Sequence, residues 1–205
     1  MENGEGYALK KPVKVSFTVI MAIIMMEGRM SMKFCSTCGN ALIMKKHEHE
    51  GCIPYCTTCQ KYIFPQFNTA VSLVALSPDE QQILLIQQYG EQRNVLVAGY
   101  VNQKESVEDA VCREMTEEIG RRVVAYRYLK SEYFEKTNTL MLSFAVLLDS
   151  TSLADISDWE IDEAKWYSFD EALKAIAPAS LAQRFLLNFI PVSYTHLRAH
   201  ETVLD

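Results

Sequence analysis

Three carboxylates stand at Glu114, Glu117 and Glu118. Their i, i+3, i+4 spacing puts all three on one face if the segment is helical. Like charges so crowded destabilise a bare helix, and they call for a hard divalent cation with a preference for oxygen; magnesium fits. Helix-borne carboxylates with bound metal suit phosphoryl chemistry, because the metal neutralises phosphate, activates water and offsets charge in the transition state. Arg113 is placed to pair with Glu105 and hold the preceding loop against the helix. A solvated acidic face with ordinary salt bridges is the alternative for the triplet alone.

A second cluster is of different chemistry. Cys35-x-x-Cys38 is followed, after seventeen residues, by Cys56-x-x-Cys59. Two short knuckles joined by a hairpin supply the four soft tetrahedral ligands that zinc requires. Gly39 after Cys38 fits a knuckle turn that needs positive φ. Disulfides are the alternative only in an exported chain. Cys52 reads as a spare thiol, and His47 and His49 as solvated residues of the charged tip 45–50. A ribbon over residues 33–66 is too short to bury a sufficient core, so the metal is its main support. Lys33, Lys45, Lys46 and Lys61 against Glu48 and Glu50 leave only a weak positive excess.

The elements that position the carboxylates lie in residues 67–190. Thr69–Leu76 and Gln82–Gln88 read as a strand hairpin around the turn Ser77-Pro78-Asp79-Glu80. A short strand over 95–98 ends at Gly99. The helix 106–119 carries an N-cap at Ser106, with Asp109 three residues on. Val107, Ala110, Val111 and Met115 form its apolar stripe, with Cys112 packed in the same helix, and Gly120 closes it. Strands follow at 123–129, 139–148 and 164–167; a second cap, Ser168-Phe169-Asp170-Glu171, opens a helix at 169–176, and a last helix lies at 181–189. Strands with interspersed helices predict an α/β sandwich around a mixed sheet.

The chain has 205 residues, 49% hydrophobic and 22% charged, with net charge -6. That length suits one ordinary domain and a small module. The acidic balance weighs against a general nucleic-acid binder, which clusters Lys and Arg. Residues 1–32 read as a non-native or disordered extension ahead of the ribbon. Its apolar run 15–26 is too short to span a bilayer. Residues 191–205 read as an assembly scar, resembling a translated sequencing adapter.

Gly99, Glu105, Arg113-Glu114-Met115, Glu117-Glu118 and Gly120 together resemble the Nudix box, G-x5-E-x7-R-E-U-x-E-E-x-G-U, where U is bulky and apolar. Arg121 at the final U is the one departure, for which Val123 compensates. The resemblance covers residues 67–190 and implies a Nudix α/β/α sandwich. With the ribbon in front, the chain is similar to zinc-ribbon NADH pyrophosphatases, which cleave NADH to AMP and reduced nicotinamide mononucleotide. That likeness implies a homodimer using magnesium or manganese; the reduced cysteines Cys35, Cys38, Cys56 and Cys59, held by structural zinc, point to a cytoplasmic chain.

The resemblance also assigns roles. Glu105, Arg113, Glu114, Glu117 and Glu118 form the catalytic set. Glu114 and Glu118 ligate metal, and Glu117 ligates a further metal or positions and deprotonates water. Glu160 matches a later metal-ligating glutamate, with Glu163 as the alternative. Tyr100 matches an aromatic that stacks on a substrate ring, and Phe134 stands for a substrate-contacting tryptophan. That tryptophan lies in S-Q-P-W-P-F-P-x-S; this chain has Ser131-Glu132-Tyr133-Phe134-Glu135-Lys136-Thr137-Asn138-Thr139, without the prolines. The reaction class is therefore better specified than the substrate. A non-catalytic nucleotide sensor, with the ribbon binding nucleic acid or a partner, is the rival; it would have lost the box glutamates.

Overall fold

The computed structural model describes residues 32–157, 159–196 and 202–203. The readings placed on residues 1–31 lie outside them. The described residues fall into two compact units, one ending at Gln66 and one starting at Phe67.

The first unit is a three-stranded sheet: β1 (Ile43–His47), β2 (Gly51–Cys56) and β3 (Lys61–Tyr62), in that order and antiparallel throughout. Its core is small, with Cys35, Cys56 and Ile63 buried and Leu42 and Cys59 packed beside them. So little apolar area cannot offset the entropy of ordering the chain, which leaves metal as the missing term.

The second unit is built on a mixed sheet. Its strands are β4 (Asn68–Leu76), β5 (Gln82–Gln88), β6 (Val97–Tyr100), β7 (Val123–Phe134), β8 (Thr139–Leu148), β9 (Ile161–Ser168) and β10 (Thr202–Val203). The order is β10-β7-β8-β4-β5-β9, with β6 also pairing β4. β4 and β8 run parallel; the other pairs are antiparallel.

The central strands explain the layers. In β4, Val71, Leu73 and Ala75 face one side, and Val74 and Leu76 the other. In β5, Leu84 and Ile86 join the first side, and Ile83 and Leu85 the second. Strands apolar on both faces must be covered on both. Helix α1 (Val107–Glu114), followed by a π turn (Met115–Ile119), covers the first face with Ala110, Val111, Met115 and Ile119. Helices α2 (Phe169–Ala175) and α3 (Leu181–His196) cover the second with Ala172, Phe185, Leu186 and Phe189. Each of those large side chains contributes about 1.5–3 kcal/mol on burial.

Both predicted caps form. The Ser106 hydroxyl accepts from the Asp109 N–H at 3.1 Å. Glu171 accepts from the Ser168 N–H and hydroxyl at 3.0 and 2.7 Å. The structure departs from the sequence reading in three places. The helix expected over 106–119 is α only to Glu114, and its last turn is wider. Strand β7 runs to Phe134 rather than ending at Leu129. Helix α3 continues to His196, into the segment read as a scar, and Thr202–Val203 pairs with β7. No helix among the described residues is long and apolar enough to cross a membrane.

Candidate functional site

The cysteine cluster follows from two similar loops. At the first, the Gly39 N–H donates to the Cys35 carbonyl at 2.8 Å and Gly39 takes φ 73°. At the second, Gln60 takes φ 52° immediately after Cys59, and the Cys59 N–H donates to the Cys56 sulfur at 3.3 Å. All four sulfurs lie within 4.8 Å of one another; Cys35–Cys59 is 3.9 Å and Cys38–Cys56 is 3.5 Å. A tetrahedron of Zn–S bonds near 2.3 Å has edges of about 3.8 Å. All six cysteines are free thiols. Backbone N–H groups of Thr37 and Cys38 bring the Cys35 thiol down to about 6, whereas crowding by Cys38 and burial push Cys59 up to about 12. Negative sulfurs this close repel unless a cation joins them, so the residues fit zinc.

Cys52 is exposed and outside the cluster. His47 differs from the solvated residue expected: its Nδ1 accepts from the N–H groups of His49 and Glu50, both at 3.3 Å. Its ring also meets Tyr62 edge-on at 4.8 Å. It is a turn cap, a role legible in neither charge nor spacing.

In the second unit, Arg113 organises the carboxylates. Its Nε and Nη2 donate to the two oxygens of Glu105 at 2.6 and 2.9 Å. Nη1 donates to Glu114 at 2.8 Å and Glu117 at 3.0 Å, and Nη2 also donates to the Tyr100 carbonyl at 2.9 Å. Glu105 further accepts from the Asn102 N–H at 2.8 Å. The Arg113 guanidinium, with that N–H, holds the Glu105 carboxyl down at about 2. One cation thus ties the loop after β6 to the helix.

The two box glycines have steric reasons. A Cβ at Gly99 would stand 1.9 Å from the Glu114 carboxyl carbon, so the carboxylate lies directly on that backbone. Gly120 has φ 68°, and a Cβ there would fall 2.7 Å from the Asp155 carbonyl oxygen. Arg121 does not replace the expected apolar contact; it turns to an ion pair with Asp155. Val123 is buried in the core beside Met115 and Ile119.

Glu114 and Glu118 are buried, at 7% and 3% exposure, whereas the Glu117 side chain is 60% exposed. Buried Oε2 of Glu118 has no hydrogen-bond partner among the described residues. Burial first, then the neighbouring Glu114, pushes the Glu118 carboxyl up to about 9, with Glu160 and Glu117 adding to the shift. A buried, unpartnered carboxylate oxygen beside another carboxylate is the environment a divalent cation relieves. The carboxylates are nevertheless more open than the cysteines, which alone among the described residues hold three or more ligand atoms mutually within 4.8 Å.

Glu160 and Glu163 separate cleanly. Glu160 accepts a hydrogen bond from the Tyr89 hydroxyl and acts electrostatically on Glu118. Glu163 lies in the ladder of β9 opposite Gln87 and is exposed. Tyr89 stands outside every motif of the sequence, in which Tyr89-Gly90-Glu91 reads only as the break after the strand 82–88. Its hydroxyl is pushed up to about 12, chiefly by Glu160 and then by burial.

Tyr100 is 54% exposed and in register with Ala70, Met141 and Glu132 across three strands. Phe134, half-buried, lies two residues beyond Glu132 on the same face. Three strand spacings separate β6 from β7, about 14 Å. The 131–139 segment is not the loop expected. Glu132, Tyr133 and Phe134 pair with Met141, Leu140 and Thr139, and a 3-10 turn at Glu135–Thr137 closes the hairpin. Prolines here would remove ladder donors; without them the strand runs on.

A family model described as the NUDIX domain matches residues 66–187. The NAD-capped RNA hydrolases NudC of Shigella flexneri and of Escherichia coli K12 (DH10B) are each 31% identical over 159 residues. The alignments cover 76% of this chain and 59% of theirs, so the chain spans about three-fifths of those relatives' length. Among solved structures, a NUDIX hydrolase from Nitrosomonas europaea aligns with TM-score 0.58 at 19% identity, over 78% of this chain and 94% of that one. The NUDIX domain of Shewanella oneidensis NrtR, complexed with ADP ribose, aligns with TM-score 0.51 at 17% identity, over 65% and 90%. The solved structures establish likeness of fold.

Proposed function

The chain belongs to the Nudix hydrolase family, and from that premise we propose that it is a divalent-metal-dependent pyrophosphohydrolase. Its substrate class is a nucleoside diphosphate linked to another moiety. NADH is the leading candidate, cleaved to AMP and reduced nicotinamide mononucleotide. The observation that carries the proposal is the unpartnered, buried Oε2 of Glu118 beside Glu114.

Glu114, Glu118, Glu117 and Glu160 are the residues to hold magnesium or manganese; Cys35, Cys38, Cys56 and Cys59 hold structural zinc. A bound divalent cation supplies charge neutralisation at the diphosphate and a more acidic water. The chain's residues do the rest. Glu117, the most exposed of the helix carboxylates, accepts from Arg113 at one oxygen and keeps the other for a further metal or for the proton of the attacking water. Arg113 holds Glu114 and Glu117 in place through Nη1. Tyr100 stacks on one ring of the substrate, and Phe134, on a strand about 14 Å away, contacts the other half. The enzyme works as a cytoplasmic homodimer in this reading. The segments 33–66 and 67–190 act as ribbon and catalytic domain in it.

A second reading is favoured by the relatives' described activity. An RNA with a 5′-terminal NAD presents the same diphosphate, so the same cut would remove the cap. The test incubates the full chain with magnesium and NADH, NAD, ADP-ribose, coenzyme A, nucleoside triphosphates and NAD-capped RNA, with products separated by chromatography. AMP with reduced nicotinamide mononucleotide as the fastest product pair is the expected result. Preferential cleavage of another compound reassigns the substrate. A Glu118→Gln variant as active as the parent overturns the reaction class.

A further inference from the structure

Glu160 is held differently from the three helix carboxylates. The backbone around it is fixed where the Ser157 N–H donates to the Glu118 carbonyl at 2.9 Å and the Ile161 N–H to the Ser157 carbonyl at 3.1 Å. Neither bond orients the carboxylate itself.

The carboxylate is met from across the sheet edge. After β5, the chain reverses through Tyr89 and Gly90, which take φ 56° and 72°. The Glu91 N–H closes the turn on the Gln88 carbonyl at 3.1 Å. Two successive left-handed residues are usual in tight hairpin turns, but tyrosine is an unfavourable residue for that conformation. The opposite strand is shaped to match. Gln87 pairs with Glu163 and Gln88 with Ile161, so a bulge leaves Asp162 without a ladder partner. Asp162 instead accepts the Gly90 N–H at 2.6 Å. The bulge therefore presents Glu160 and Asp162 together to one turn: Asp162 caps its backbone and Glu160 receives the Tyr89 hydroxyl.

We propose that Tyr89 is a positioning residue, whose hydroxyl occupies one oxygen of Glu160 and aims the other at the divalent cation. This rests on the reading of Glu160 as a cation ligand. A carboxylate on a loop end rotates freely; a hydrogen bond to one oxygen removes that freedom before metal arrives. Groups that orient a metal ligand typically change affinity by about 10–100-fold when removed. The unfavourable backbone at Tyr89 is consistent with a side chain retained for what it touches.

The experiment measures Mn²⁺ binding to the full, zinc-loaded chain by electron paramagnetic resonance, without substrate. Tyr89→Phe keeps the ring and removes only the hydroxyl; at 65% exposure the residue is not part of the core. The expected result is Mn²⁺ affinity lowered roughly tenfold in Tyr89→Phe, with an unchanged melting curve. The manganese concentration giving half-maximal hydrolysis should rise in parallel. In a Glu160→Gln background, the same tyrosine change should alter affinity by less than about twofold, because the carboxylate it positions has gone. Parental affinity in Tyr89→Phe, with Glu160→Gln weakened, overturns the proposal. So does a tyrosine effect that persists undiminished in the Glu160→Gln background. Unchanged affinity in Glu160→Gln itself overturns the ligand reading, and the proposal falls with it.

Discussion

The two clusters solve opposite problems. In the ribbon, backbone loops bring four sulfurs within 4.8 Å of one another, and almost nothing else supports the unit. In the larger unit the scaffold is complete without metal, and an arginine holds mutually repelling carboxylates in place. The first cluster is closed and belongs to folding; the second is open, with one carboxylate in solvent and one oxygen unpartnered. Metal should therefore decide whether the ribbon exists, but only whether the Nudix site works.

Removing metal from each cluster separates them most strongly. Cys56→Ser, at a fully buried sulfur, should abolish zinc binding and unfold the ribbon; structural zinc contributes about 10 kcal/mol or more. Zinc content and limited proteolysis report this, with cleavage confined to the ribbon as the expected pattern. EDTA treatment mild enough to spare zinc should leave the main melting transition in place. Next in size, Glu118→Gln should lower turnover by about 10³-fold or more, while making the metal-free protein more stable at neutral pH. The sign follows from the raised carboxyl. With a folded value near 9 against 4.5 unfolded, the native state holds the extra proton between them. The stabilising effect is present below about 4.5 and is lost as pH rises toward about 9. Metal-free melting curves across that window should fall with pH in the parent and flatten in Glu118→Gln.

Arg113→Ala should destabilise by about 2 kcal/mol, since it leaves Glu105 and Glu114 without their partner in a partly buried site; urea denaturation measures it. Glu105 gives the acid counterpart. Its carboxyl, held near 2 against 4.5, contributes stability above about 4.5 that disappears as pH falls toward about 2. Glu105→Gln should remove that part of the acid transition. The smallest effect belongs to Arg121→Leu. The Arg121–Asp155 pair has one exposed member and contributes about 1 kcal/mol or less, so a shift of only a few degrees in melting temperature is expected.

Local rules made much of this legible. The cysteine spacing, the two caps and the box spacing placed the ribbon, the helices and the Arg113–Glu105 pair. Strands with interspersed helices announced the α/β sandwich. Most of the failures are tertiary. Glu160 and Glu163 are indistinguishable by motif spacing, and only the bulge in β9 sends one to Tyr89. Tyr89 reads as a turn residue because no local pattern shows what lies across a sheet edge. The extension of β7 to Phe134 is decided by pairing with β8, not by propensity.

The π turn at Met115–Ile119 makes the box a matter of counting. There the Gly120 N–H reaches back to the Met115 carbonyl, so the helix holds one residue more than an α turn accommodates. Deleting Thr116 would leave every glutamate in the chain and none of the composition of the site changed. Yet each residue in an α-helix advances by about 100°, so Glu117, now two residues after Glu114 instead of three, would swing to the opposite face of the regularised helix. Sequence drift in this family of sites should therefore tolerate many replacements inside the segment and no change in its length.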